Sequence, residues 1–146
     1  LLAGEPEYLD PLKDETPEGW VVTGYPWNEI KTPEHQKFLA AYQARFKDYP
    51  RLGSVVGYST MYSVANMIKK AGAVDTEKMI AAMKGLEMST PIGPIVYRAV
   101  DHQSTMGAYI GKLAKKNGKG VMVDWRFADG ALFLPPFEEV KAMRKE

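Results

Sequence analysis

Trp20-Val21-Val22-Thr23-Gly24-Tyr25-Pro26, followed by Thr32-Pro33-Glu34, decides the reading of the fold. The first run is aromatic and β-branched and is bounded by turn formers, so it reads as a strand that Pro26 closes. In the second run a capping Thr, a Pro at the first helical position and an acid in the first turn announce a helix. Phe38, Leu39, Tyr42 and Phe46 mark its apolar stripe, and Pro50 predicts an end near Asp48. Strand followed by amphipathic helix is the opening of an α/β fold.

Two more helices follow on the same logic. One is expected from Ser59 or Thr60, with Met61, Val64, Ala65, Ile68 and Ala71 toward a core and Gly72 as its C-terminal cap. A shorter one opens at Asp75, buries Met79, Ile80 and Met83, and ends at Gly85. From residue 86 the texture turns to strands, with Ile95-Val96-Tyr97-Arg98 after Pro94. A firm antiparallel hairpin is predicted over 105–125, where Asn117-Gly118 supplies two residues that tolerate positive φ. After Pro135-Pro136, a short terminal helix is expected with Phe137, Val140 and Met143 on one face.

Composition narrows the functional classes. The 146 residues are 45% hydrophobic and 25% charged, enough for one folded unit with its own core. A formal charge of +1 argues against a nucleic-acid partner, which calls for a basic surplus. The absence of cysteine excludes disulfides, thiolate nucleophiles and thiolate zinc sites. Six acids in residues 1–18 face Lys13 alone, and Lys112, Lys115, Lys116 and Lys119 cluster without an acid. Both patches read as solvated surface ahead of partner-steering sites. No apolar run is long enough for a membrane span or signal peptide. The opening Leu1-Leu2-Ala3-Gly4 therefore reads as the tail of a buried strand inside a longer chain.

Catalysis finds little support. Gly118-Lys119-Gly120 follows a hairpin turn and forms no phosphate loop, and no G-x-S-x-G elbow is present. His35 reads as a surface or capping residue, and Asp101-His102-Gln103 as a polar turn that satisfies its own backbone. The chain is therefore not expected to be an enzyme, and no cofactor or metal is expected. Two segments have the makings of a small-molecule lip. Gly4-Glu5-Pro6-Glu7 places carboxylates on a loop just after a strand, where open α/β sheets receive ligands. Gly57-Tyr58-Ser59-Thr60 places a ring, hydroxyls and free amides at an expected helix start. A flexible chain end and an ordinary cap remain the competing readings.

The order of features resembles the C-terminal part of a periplasmic substrate-binding protein of the branched-chain amino-acid (Leu/Ile/Val) ABC-transporter family, the type I two-lobed α/β fold. The likeness is carried by Glu18-Gly19-Trp20-Val21-Val22-Thr23-Gly24-Tyr25-Pro26-Trp27, by the helix 33–48 ending in Phe46-Lys47-Asp48-Tyr49-Pro50, and by Gly57-Tyr58 through Lys70-Ala71-Gly72. It continues in Thr90-Pro91-Ile92-Gly93-Pro94-Ile95-Val96-Tyr97-Arg98 and Asp101-His102-Gln103.

The resemblance implies four segments: 1–19 ending the second lobe, 20–31 a crossover, 32–125 first-lobe helices and strands with the return crossover, and 126–146 a tail with a short helix. It implies a periplasmic solute-binding component of an uptake system for branched-chain or related amino acids, closing on its ligand by hinge motion and docking on a membrane permease. Receptors for aromatic acids, urea or amides, and a ligand-sensing domain of the same fold, stay open as alternatives. By the same likeness Glu5 faces the ligand's ammonium and Tyr58, with Ser59 beside it, approaches its apolar side chain. Much of the amino-acid clamp, including the loops that grip the carboxylate, would lie outside this chain. The isolated chain is expected to dimerise through strand edges left open.

Overall fold

The computed structural model describes residues 2–144. Strand β1 (Leu2–Gly4) runs directly into helix α1 (Pro6–Leu12), whose Pro6 sits where a missing N–H costs nothing. The segment expected to be a loop is thus a helix, continued by a 3-10 turn at Lys13–Glu15. Leu2 is exposed and Leu1 lies outside the described residues, so burial of this strand begins at its far end, at Gly4. Strand β2 (Val21–Gly24) pairs in parallel with β1, Leu2 opposite Thr23 and Gly4 opposite Gly24.

Helix α2 (Pro33–Phe46) starts behind Thr32 as its sequence dictates and ends where Lys47 adopts a left-handed φ of 57°. Its buried residues are His35 and Phe38, while Phe46, expected in the stripe, is exposed. His35 is therefore a core residue and not a surface cap.

Helix α3 (Leu52–Ala71) begins seven residues earlier than the expected Ser59. A Cβ at Gly53 or Gly57, both inside the helix, would meet nothing within 4 Å, so both lie on an open face. Ser54 Oγ accepts from the Arg51 amide at 3.3 Å and caps the start. The inner face is Val55, Ser59 and Ser63, and Met61 is exposed. Helix α4 (Thr76–Met83) is capped by Asp75, whose Oδ1 accepts from the Lys78 amide at 2.9 Å. It buries Ala82, and Ile80 faces solvent.

Strands β3 (Leu86–Thr90) and β4 (Gly93–Tyr97) form a separate antiparallel pair against α3. Strands β5 (Ala108–Lys116) and β6 (Lys119–Ala128) form the predicted hairpin, with Asn117 and Gly118 at φ of 52° and 72°. The hairpin runs three residues past the expected limit of 125. It joins the first sheet, order β1-β2-β5-β6, through β5 beside β2. Sheet pairing therefore cuts across the segment 32–125: its helices pack with β3 and β4, and its hairpin extends the sheet of β1 and β2. Helix α5 (Phe137–Met143) buries Val140 and leaves Phe137 and Met143 exposed.

Two apolar clusters hold these layers. Leu9 of α1 packs on Val22 and Leu113, fixing α1 to the sheet. Tyr25, Tyr109 and Met122 from the sheet side meet Phe38 and Val55 from the helices, with Ile30 and Ile92 between. Each such side chain closed off from water contributes about 1.5–3 kcal/mol. Among the described residues, no helix is long and apolar enough to cross a membrane.

Candidate functional site

Glu5 caps the start of α1 with its backbone, where its carbonyl accepts from Tyr8 N at 3.0 Å and Leu9 N at 3.1 Å. That turn folds the side chain inward. Glu5 is only 4% exposed, and its Oε2 is buried with no hydrogen-bond partner among the described residues. Burial pushes its carboxyl above the ordinary range, and the nearby Glu7 charge adds a smaller push the same way. A carboxylate buried and unsatisfied in this manner is costly unless a donor arrives to meet it.

Glu5 lines a groove of about 340 Å³ whose other walls are Leu2, Glu7, Tyr8, Leu52, Gly53 and Val56. One wall is the β1 to α1 turn and the other is the first turns of α3. Glu7 Oε1 accepts from Gly53 N across it at 3.3 Å. Gly53 is the second residue of α3, so its amide belongs to the helix end that favours negative charge. Leu52 and Val56 make the helix side apolar. A larger cavity of about 670 Å³ is lined by Leu9, Asp10, Trp27, Tyr49 and Met122 among others. Of the two, the smaller groove holds the unpartnered buried carboxylate. Among the described residues, no three His, Asp or Glu side chains gather as a metal site.

Tyr58 and Ser59 sit in the second turn of α3, not at its start, so the amides expected to be free there are bonded within the helix. Ser59 is buried and its Oγ donates to Val55 O at 2.8 Å. Tyr58 is 37% exposed, with its ring 4.9 Å from Phe38 and 4.4 Å from Tyr62. Its phenol is pushed up to about 12, first by hydrogen bonding with Tyr62 and then by burial. The groove thus holds Glu5 but neither Tyr58 nor Ser59 among its lining residues. Glu7, part of the expected lip, lines the groove beside Glu5, whereas Tyr8, Leu52, Gly53 and Val56 escaped the sequence reading. Pro50 followed by Arg51 and Ser54 was the available sign of an earlier helix start.

A family model described as periplasmic binding protein matches residues 1–119. The chain belongs to the periplasmic binding protein family. Its compartment is the periplasm and its architecture is the α/β type I form of that fold. Among solved structures, this binding protein is similar to an ABC-type branched-chain amino acid transporter from Rhodopseudomonas palustris CGA009. They share 29% identity over 82% of this chain and 33% of that one, with a TM-score of 0.69. It is also similar to an ABC-transporter solute binding protein from R. palustris BisB5 in complex with 3,4-dihydroxybenzoic acid, at 29% identity over 77% of this chain and 31% of that one, TM-score 0.65. A third, an R. palustris solute binding protein in complex with 4-hydroxybenzoate, shares 25% identity over 86% of this chain and 34% of that one, TM-score 0.71. This binding protein spans about a third of the length of these relatives. No curated protein matches it.

Proposed function

We propose that the protein is the solute receptor of an ABC uptake system, and that its solute is a small carboxylic acid with a second hydrogen-bond-donating group, an aromatic hydroxy acid in preference to a branched-chain amino acid. The observation that carries this reading is Glu5 Oε2, buried and without a partner among the described residues, on a residue that lines an otherwise largely apolar groove. A phenolic O–H placed against Glu5 supplies the missing donor, and Leu52 and Val56 offer a surface to an aromatic ring. The volume lies at the lower end of the range for small-molecule sites. The complexes of two relatives with hydroxylated benzoic acids support the same choice.

Ser59 acts in this proposal through the helix: its bond to Val55 O belongs to the turn that carries Val56. Tyr58, its ring tilted against Phe38 beside that turn, is the aromatic residue nearest to it in sequence. The reaction is binding alone. Solute favours the closed form because it touches both walls, and the closed receptor delivers it to a membrane permease.

A second reading keeps the branched-chain amino acid, since an ammonium also satisfies Glu5 and one relative is described as a branched-chain amino acid transporter. Calorimetry on the full-length protein with 4-hydroxybenzoate, 3,4-dihydroxybenzoate, benzoate, leucine and valine separates the two. The proposal expects the hydroxybenzoates to bind tightest and benzoate, lacking the donor, about tenfold more weakly. Leucine binding above all others favours the second reading, and no heat with any of the five overturns both.

A further inference from the structure

We infer that Asp10, Tyr49 and Arg51 form a latch beside the groove, positioning residues that hold α1 against the turn between α2 and α3, the two segments that carry its facing walls, and so set the residence time of the solute. The inference rests on the solute-binding reading above and names the device that would hold its groove shut.

Glu7 and Asp10 stand three residues apart on α1 and so share one face of it. That face meets a single short segment. Tyr49 Oη donates to Asp10 Oδ2 at 2.6 Å, and Arg51 Nη2 lies 3.7 Å from the same oxygen. Gly53 N donates to Glu7 one turn away. The segment is braced before it reaches α1. The Tyr49 ring lies parallel to Trp27 at 4.5 Å with an interplanar angle of 3°. The Arg51 guanidinium covers Tyr49 at 4.3 Å from its centroid. Arg51 also pairs with Asp48 and donates to Tyr49 O at 2.7 Å. Tyr49 is thereby pre-placed, and little further ordering is needed for it to reach Asp10.

What separates a latch from a fixed interface is the chemistry on either side. Leu9 packs α1 onto Val22 and Leu113 of the sheet, whereas Phe38 and Val55 of the helices belong to the other cluster, with Tyr25 and Ile30 of the segment between sheet and helices. The joint at Tyr25 and Ile30 is closed off from water, with apolar packing and a buried Tyr25–His35 hydrogen bond. The joint at α1 is polar, with Asp10 exposed to water that can replace each bond as it opens.

Two measurements test it on the full-length protein. Stopped-flow binding of 4-hydroxybenzoate should show Asp10→Ala and Tyr49→Phe each raising the dissociation rate about tenfold, with association changed less than twofold. Tyr49→Phe keeps the ring on Trp27, so folding is preserved. The double variant should match the Asp10 single, because the bond that Tyr49→Phe removes is already lost with the Asp10 carboxylate. Spin labels at exposed Asp14 and Ala44 read the gap without any ligand, and the distance distribution should widen in both variants. An unchanged distribution, or additive rate effects in the double variant, overturns the latch. If the wild type binds none of the five solutes while the distribution still widens in the variants, the solute proposal fails and the latch stands.

Discussion

Tyr25 Oη and His35 Nε2 lie 2.7 Å apart, and both side chains are closed off from solvent. The bond ties the end of β2 to the first turn of α2, across the passage from sheet to helices. Burial drives the His35 imidazole down to about 4 from its ordinary 6.5, with the Lys31 charge a lesser cause in the same direction. The unfolded chain therefore takes up a proton near pH 6.5 that the folded protein refuses until about pH 4. Stability is full above pH 6.5, falls as pH drops through that window, and levels off below it, a loss on the order of 2–3 kcal/mol. Urea denaturation from pH 7.5 to 4 should show this slope, and His35→Gln should flatten it. An unchanged slope in the variant refutes the assignment.

The hairpin of β5 and β6, the start of α2 and the cap of α4 were legible because each is written in neighbouring residues: Asn117-Gly118, Thr32-Pro33 and Asp75, although the Thr32 hydroxyl makes no capping bond. The role of His35 was not, because its partner lies ten residues away and a lone histidine near a helix start looks like a cap. The inner face of α3 was misread for a related reason. Hydropathy pointed to Met61 and its neighbours, but the helix packs closely on β3 and β4, and the small hydroxyls of Ser59 and Ser63 fit there by bonding to their own helix. At the groove, Glu5 was visible as an acid after a strand. The contact between Glu7 and Gly53 spans 46 positions, and no local pattern encodes it.

Ser63 and Ser59 should respond differently to the same truncation. Ser63 Oγ receives a hydrogen bond from Tyr97 Oη at 2.7 Å, whereas the Ser59 hydroxyl, among the described residues, bonds only to Val55 O in the preceding turn. Ser63→Ala strips a half-buried phenol of its acceptor and should cost about 1–2 kcal/mol. Ser59→Ala removes a bond that competes with the helix's own ladder and should fall within about 0.5 kcal/mol of wild type. Thermal melts of the two variants decide it, and equal losses would contradict the hydrogen-bond assignment.

Gly24 and Gly57 make a second contrast. A Cβ on Gly24 would stand 2.4 Å from Gly4 O, in backbone that cannot move aside without parting β1 from β2. Gly24→Ala should cost about 2–3 kcal/mol. Gly57 sits inside α3 with nothing within 4 Å of its would-be Cβ, so Gly57→Ala should add about 0.5–1 kcal/mol through helix propensity. Denaturant midpoints shifting in the same direction for both would break the register proposed for β1 and β2.

Glu5 sets stability against binding. Its folded carboxyl is raised above the unfolded value, so the folded protein holds that proton to higher pH than the unfolded chain does. Stability is therefore greatest at low pH and declines as pH climbs from about 4.5 through the raised value, leaving a penalty at neutral pH. Glu5→Gln keeps the shape, removes the charge and should stabilise the ligand-free protein by about 1 kcal/mol at pH 7 while flattening that decline. The same change should weaken 4-hydroxybenzoate about tenfold and leave benzoate, which offers Glu5 no hydroxyl, within a factor of two. Melting curves and calorimetry on one pair of proteins read both effects. A variant that loses stability at pH 7, or that weakens both acids equally, would mean Glu5 is a structural acid with no part in choosing the solute.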